Sequence, residues 1–154
     1  MARQSAGILL YRISKETEVL LIHPGGPFFI KKDLGSWSIP KGEYTMDEEP
    51  LAAARREFQE ETGFEINGNF IPLQPVRQKG GKVIQAWAVE GNLDADAVVS
   101  NTFVLNWPPG SRNFKTYPEV DRAEWFGLDA AQAKINERQA AFIDELESLL
   151  LNNR

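Results

Sequence analysis

Apolar residues fall in short runs near the start of the chain. The stretches SAGILLYR (5–12) and EVLLIH (18–23) each hold several aliphatic side chains and are divided by the polar, turn-like ISKET. Runs of this length predict two strands. Residues 24–50 are dense in Gly and Pro and read as loop, with a short strand at WSI (37–39). A helix follows, with Asp47 as its expected N-cap, Pro50 in its first turn and Gly63 as its C′ residue. FIPLQPVRQ (70–78) and KVIQAWAVEG (82–91) read as strands joined across KGG, and NTFVLNW (101–107) as a third. PPGSRNFKTYPEVDRA (108–123) reads as loop and EWFGL (124–128) as a short strand. At the C-terminus, Asp129 is expected to cap AAQAKI. Asn136 and Gln139 open a second helix with the apolar stripe Phe142, Ile143, Leu146, Leu149 and Leu150. Strands, a central helix, further strands and terminal helices predict an α/β sandwich with a mixed sheet.

In the central helix the apolar and acidic positions separate. At about 100° per residue, Ala54, Phe58 and Thr62 lie within roughly 60° of Leu51, which makes that side the buried stripe. Ala53, Glu57, Glu60 and Glu61 occupy a sector from roughly 180° to 280°, with the small alanine expected to leave space above the acids. Charge runs usually mark a solvated face. Here, however, the carboxylates crowd the late turns of a helix, where they repel one another and oppose the macrodipole. A hard divalent cation relieves both effects, since Mg²⁺ and Mn²⁺ share a few carboxylates with water and substrate phosphates. Without it, mutual repulsion raises at least one pKa of the group.

Composition narrows the setting. With 154 residues, no internal repeat and no Gly/Ser linker, the chain reads as one domain spanning 1–154. The absence of cysteine excludes disulfide and thiolate chemistry and suits a reducing compartment. Arg12, Lys15, Glu16 and Glu18 interrupt the early apolar runs, so neither a signal peptide nor a membrane span is expected there. The expectation is a cytoplasmic protein with no membrane partner. A net charge of −5 argues against broad nucleic-acid binding. A phosphate-rich ligand then needs local Lys and Arg side chains or bound metal.

Reading outward from the acids gives Gly42, five residues, Glu48, seven residues, Arg56-Glu57-Phe58, one residue, Glu60-Glu61, one residue, Gly63-Phe64. This resembles the Nudix box, G-x5-E-x7-R-E-U-x-E-E-x-G-U with U apolar, at every defined position. Chance produces such a match on the order of once per billion windows at ordinary residue frequencies. The order of strands and helices around the box is also similar to the Nudix fold, an α/β/α sandwich with a mixed β-sheet.

The resemblance implies a hydrolase that cleaves a nucleoside diphosphate derivative by attack of water at phosphorus, with Mg²⁺ as cofactor and Mn²⁺ as a substitute. By match to the box, Glu57, Glu60 and Glu61 are the metal-ligand candidates, joined by the carbonyl of Gly42. Glu57 or another nearby glutamate positions or deprotonates the water. Arg56 orients the carboxylates, and Glu48 braces the loop through Arg or backbone contacts. Gly42 and Gly63 read as turn and cap residues. Many members draw a further glutamate from outside the box. Glu119, six residues before Trp125, fits that placement, with Glu124 as the second choice.

Substrate residues are expected at Lys41, toward a phosphate oxygen, and at Tyr117, stacking on a base. Phe114 and Trp107 are further loop aromatics, and Lys79, Lys82, Arg112 and Lys115 further cations. His23 closes a strand with no second ligand nearby and reads as structural. GSWSIPKGE is similar to the approach to the box in dinucleoside polyphosphate hydrolases, and residues 20–44 resemble predicted bacterial NTP pyrophosphohydrolases. The implied partner is a small nucleotide, NTP or dinucleoside polyphosphate, bound by a monomer or homodimer. An ADP-ribose or nucleotide-sugar pyrophosphatase is the enzymatic alternative, and a non-catalytic nucleotide-binding module the other.

Overall fold

The computed structural model describes residues 3–152. Its strands are β1 (Gln4–Ile13), β2 (Thr17–Pro24), β3 (Lys41–Glu43), β4 (Ile71–Pro72), β5 (Val76–Arg77), β6 (Val83–Glu90), β7 (Thr102–Asn106), β8 (Phe114–Pro118) and β9 (Val120–Gly127). The helices are α1 (Pro50–Thr62), α2 (Leu128–Lys134) and α3 (Ala140–Asn152). The main sheet runs β4-β6-β1-β2-β9, with β3 added on β1 and β5 on β6. β1 and β6 are parallel and the other pairs antiparallel, so the sheet is mixed as expected.

β1 organises this sheet. It is long enough to share one edge between two partners: residues 5–7 pair with β3 and residues 11–13 with β2. Its side chains alternate between two cores, as a strand buried on both faces requires. Ala6, Ile8 and Leu10 pack with Ala53, Ala54 and Phe58 of α1. Leu9 and Tyr11 pack with Ala131 of α2 and Phe142, Ile143 and Leu146 of α3. The result is an α/β/α sandwich. Among the described residues no helix is long and apolar enough to cross a membrane.

Several local expectations give way to tertiary structure. The short strand forms at Lys41–Glu43 rather than at WSI, where Trp37 and Ser38 make only isolated bridges. The segment 70–78 breaks into β4 and β5, since Pro72 and Pro75 lack the N–H that a continuous ladder needs. The loop expected at 108–123 contains β8 and the start of β9. β8 pairs only with β7, giving a two-stranded ribbon outside the main sheet. α1 starts after Glu49 without a side-chain cap, so Asp47 does not cap it, whereas Gly63 ends it in the left-handed conformation with its N–H on the Gln59 carbonyl. Gly127 stands at the N-cap of α2, and Asp129 lies inside its first turn. Asn136 caps a single 3₁₀ turn, accepting from the Arg138 N–H, before α3 begins. Gln139 accepts from the Ile39 N–H.

Ala53 corrects the picture of α1. It is fully buried in the α1-side core, so its small size serves the approach of the helix to the sheet rather than the space above the acids. Ala53→Leu is therefore expected to cost about 1–3 kcal/mol by overpacking, seen as a lower urea midpoint. An unchanged midpoint would contradict this close approach.

Candidate active site

Arg56 is the centre of the acidic face. Its Nε and Nη2 donate to the two carboxylate oxygens of Glu48 at 2.7 and 2.8 Å. Nη1 reaches the other way, to Glu57 at 2.8 Å and Glu60 at 3.1 Å. The planar fork thus spans three carboxylates, which a lysine could not do. Its hydrogen bonds hold Glu48 below the usual carboxylate range and raise the arginine's own pKa. Glu48 is the brace that the sequence suggested.

The other acids are pressed against β3. Gly42 lies within the strand opposite Ala6, not in a turn, and a Cβ built there would overlap the Glu57 carboxylate. Glu57 is buried, and desolvation pushes its pKa up against the pull of Arg56, with the Glu60 and Glu119 charges adding to the rise. Glu61 accepts the Lys41 backbone N–H at 3.1 Å. Burial pushes its pKa up to about 8; the Lys41 hydrogen bond and charge oppose the rise, and Glu57 and Glu119 add to it. Burial also lowers the Lys41 ammonium, partly offset by Glu61.

Glu119 joins this cluster from the turn between β8 and β9. Its charge acts on both Glu57 and Glu61. Its backbone is tied on both sides: its N–H donates to the Asn101 carbonyl at 2.8 Å and its carbonyl accepts from Gly25 at 2.9 Å. Asn101 in turn donates to the carbonyl of Glu60 at 2.8 Å. Asn101 and Gly25 were not singled out in the sequence, because backbone contacts carry no residue-type signature; the only hint is the paired glycines directly after β2. Glu124 sits mid-strand opposite Leu21, which belongs to the α2–α3 core, so the pleat directs it away from α1. Tyr117 lies on the β7–β8 ribbon, its ring 6.0 Å from that of Phe103. Lys82 lies 3.9 Å from Glu43. Phe114 is exposed, and Trp107 is partly exposed beside the ribbon.

The donor set fits a hard divalent cation: carboxylate oxygens crowded on one helix face, two of them with raised pKa, and a strand backbone close against one. Among the described residues, however, no group of three or more acids is already arranged as a metal cage. Arg56 engages Glu57 and Glu60, and the Lys41 N–H engages Glu61. Arg56 therefore compensates charge that a cation would otherwise neutralise, while Glu48 retains the other side of its fork.

A NUDIX domain family model matches residues 1–146. The chain belongs to the NUDIX family. The m7GpppN-mRNA hydrolase of Saccharomyces cerevisiae (strain ATCC 204508 / S288c) is 33% identical over 92 residues, 59% of this chain and 8% of that protein's length. The Ap4A hydrolase of C. elegans, solved as a binary complex, superposes with a TM-score of 0.68 at 19% identity, over 96% of this chain and 98% of that one. The NUDIX domain of Shewanella oneidensis NrtR, solved with ADP ribose, gives a TM-score of 0.69 at 18% identity, over 97% and 89% of the two chains. At these identities the superpositions establish the shared fold.

A folded-state carboxyl pKa raised to about 8 favours the protonated form, so its stabilising contribution is full below the unfolded value and is lost as pH rises toward 8. The metal-free protein should therefore lose stability relative to Glu61→Gln between pH 5 and pH 8, as read by paired thermal melts. A pH-independent difference would contradict the raised pKa.

Proposed function

We propose that the chain hydrolyses a phosphoanhydride bond in a nucleoside diphosphate derivative, with NTPs and dinucleoside polyphosphates as the substrate class. Mg²⁺ is the cofactor, with Mn²⁺ able to replace it. The observation that carries this reading is the set of three box carboxylates on one face of α1, with Glu119 and Lys41 electrostatically coupled to them. Glu57, Glu60, Glu61 and the Gly42 carbonyl are the groups that would hold the cation. When bound, Mg²⁺ neutralises phosphate oxygens and lowers the pKa of water.

The chain's own residues supply the rest. Arg56, fixed on Glu48, keeps Glu57 and Glu60 oriented. Glu119, whose charge acts on Glu57 and Glu61, takes the proton of the attacking water. Lys41 meets a phosphate oxygen, and an arriving anion favours its charged form against the desolvation that lowers it. Tyr117 stacks on a base from the ribbon. The m7GpppN and Ap4A cleaved by these similar proteins are nucleosides joined through a phosphate chain, which supports the dinucleoside polyphosphate end of the class. The expected setting is the cytoplasm, with a small nucleotide as partner and the chain a monomer or homodimer.

Ion-exchange product analysis tests this reading. NTPs, oxidised guanine nucleotides, diadenosine tetraphosphate and ADP-ribose are each incubated with Mg²⁺ or Mn²⁺, with Glu60→Gln as control. Turnover of an NTP or of the dinucleoside polyphosphate, reduced at least about 100-fold in the control (about 2.7 kcal/mol of barrier), is expected. Turnover confined to ADP-ribose would replace the substrate class. Binding without turnover would make the chain a nucleotide-binding module.

A further inference from the structure

The backbone of Glu119 is held by residues that lie outside the box. His23, at the end of β2, is 1% exposed, yet both of its ring nitrogens are engaged. Nδ1 lies 2.8 Å from an Asp121 carboxylate oxygen and Nε2 lies 2.7 Å from the Lys32 carbonyl oxygen. A carbonyl can only accept, so Nε2 carries a hydrogen and donates. The Trp37 ring packs against the imidazole in a T-shaped arrangement, with the two ring centroids 5.1 Å apart.

The strand register explains how His23 reaches Asp121. His23 stands opposite Arg122 and Pro24 opposite Val120, so Asp121 is the extra residue of a bulge. Bulges re-aim side chains, and this one lies two residues beyond Glu119. The next residues complete a clamp. The Gly25 N–H donates to the Glu119 carbonyl at 2.9 Å, and a side chain at Gly25 would overlap the Pro118 carbonyl. From there the backbone bonds run through Glu119 to Asn101 and on to Glu60.

We propose that His23 is a positioning residue for Glu119: by pinning the β9 bulge to the 25–36 loop, it sets the strand end that aims this glutamate at the α1 acids. The inference rests on the assignment of Glu119 as the base. A buried histidine serving only the fold would leave catalysis by Glu119 independent of it.

Two measurements on the full chain test the proposal. In the first, hydrogen exchange is followed at the amides of Gly25, Glu119 and Asn101 in His23→Gln and in Asp121→Ala. The second variant removes the partner of Nδ1 without altering the buried ring. At least tenfold faster exchange at these amides, with β1 and β6 unchanged, is expected, and this readout needs no substrate. Unchanged exchange in both variants would overturn the clamp.

In the second, kcat and KM are measured for the substrate found in the product analysis, across a cycle of His23→Gln, Glu119→Gln and the double variant, with Asp121→Ala replacing His23→Gln if the latter does not fold. The expected result is at least a tenfold loss of kcat from His23→Gln with KM within about twofold, shrinking to less than twofold in the Glu119→Gln background. Equal losses in both backgrounds would overturn the positioning role. Full activity of Glu119→Gln would overturn both the base assignment and the positioning role, and the exchange data would still report the clamp separately.

Discussion

Glu57 sits where a side chain on Gly42 would otherwise be. That contact brings an acidic helix face against the edge of a sheet, and the other features of the site depend on it. β3 is only three residues long and is held by residues 5–7 of β1. Because Gly42 presents no Cβ, the helix seats closely enough for Ala53 to be fully buried and for the Lys41 N–H to reach Glu61. The same closeness removes water from Glu57 and Glu61, and this desolvation is the largest cause of their raised pKa values.

Arg56 makes this crowding tolerable. Three carboxylates late in a helix are unfavourable alone, and one guanidinium is shared among Glu48, Glu57 and Glu60. Its division of labour is asymmetric, with two bonds to Glu48 outside the cluster and the remaining nitrogen facing the acids. A cation can therefore compete for Glu57 and Glu60 while the arginine stays anchored. The Glu119 segment approaches the same acids along a chain of backbone hydrogen bonds, which fixes its placement without relying on a flexible side chain.

Much of this was legible in the sequence. The period of α1, its stop at Gly63, the stripe of α3 and the acid spacing all follow from local rules, because they depend on residues three or four positions apart. The layer order followed from the order of elements. What was missed depends on distant residues. The strand at 41–43 exists because β1 has a free edge there, and β8 exists because β7 lies beside it. Asp47 and Asp129 had the right chemistry for caps but sat at the wrong distance from the true helix starts. Glu119 was singled out through the family resemblance, six residues before Trp125, whereas its tethers at Gly25 and Asn101 run through backbone atoms that any residue type supplies. His23 reads in the sequence as a strand-end residue, and its contacts with Asp121 and Lys32 emerge only from the β9 bulge and the loop after β2.

The bare backbone of Gly42 permits the acid arrangement, and Gly42→Ala tests this contact most directly. The measurement is Mn²⁺ binding by paramagnetic resonance, alongside the circular dichroism spectrum of the same sample. An unchanged spectrum is expected, with Mn²⁺ affinity at least about tenfold weaker, equivalent to about 1.4 kcal/mol, because the added methyl displaces the Glu57 carboxylate. An alanine variant that binds Mn²⁺ as tightly as the parent would contradict it.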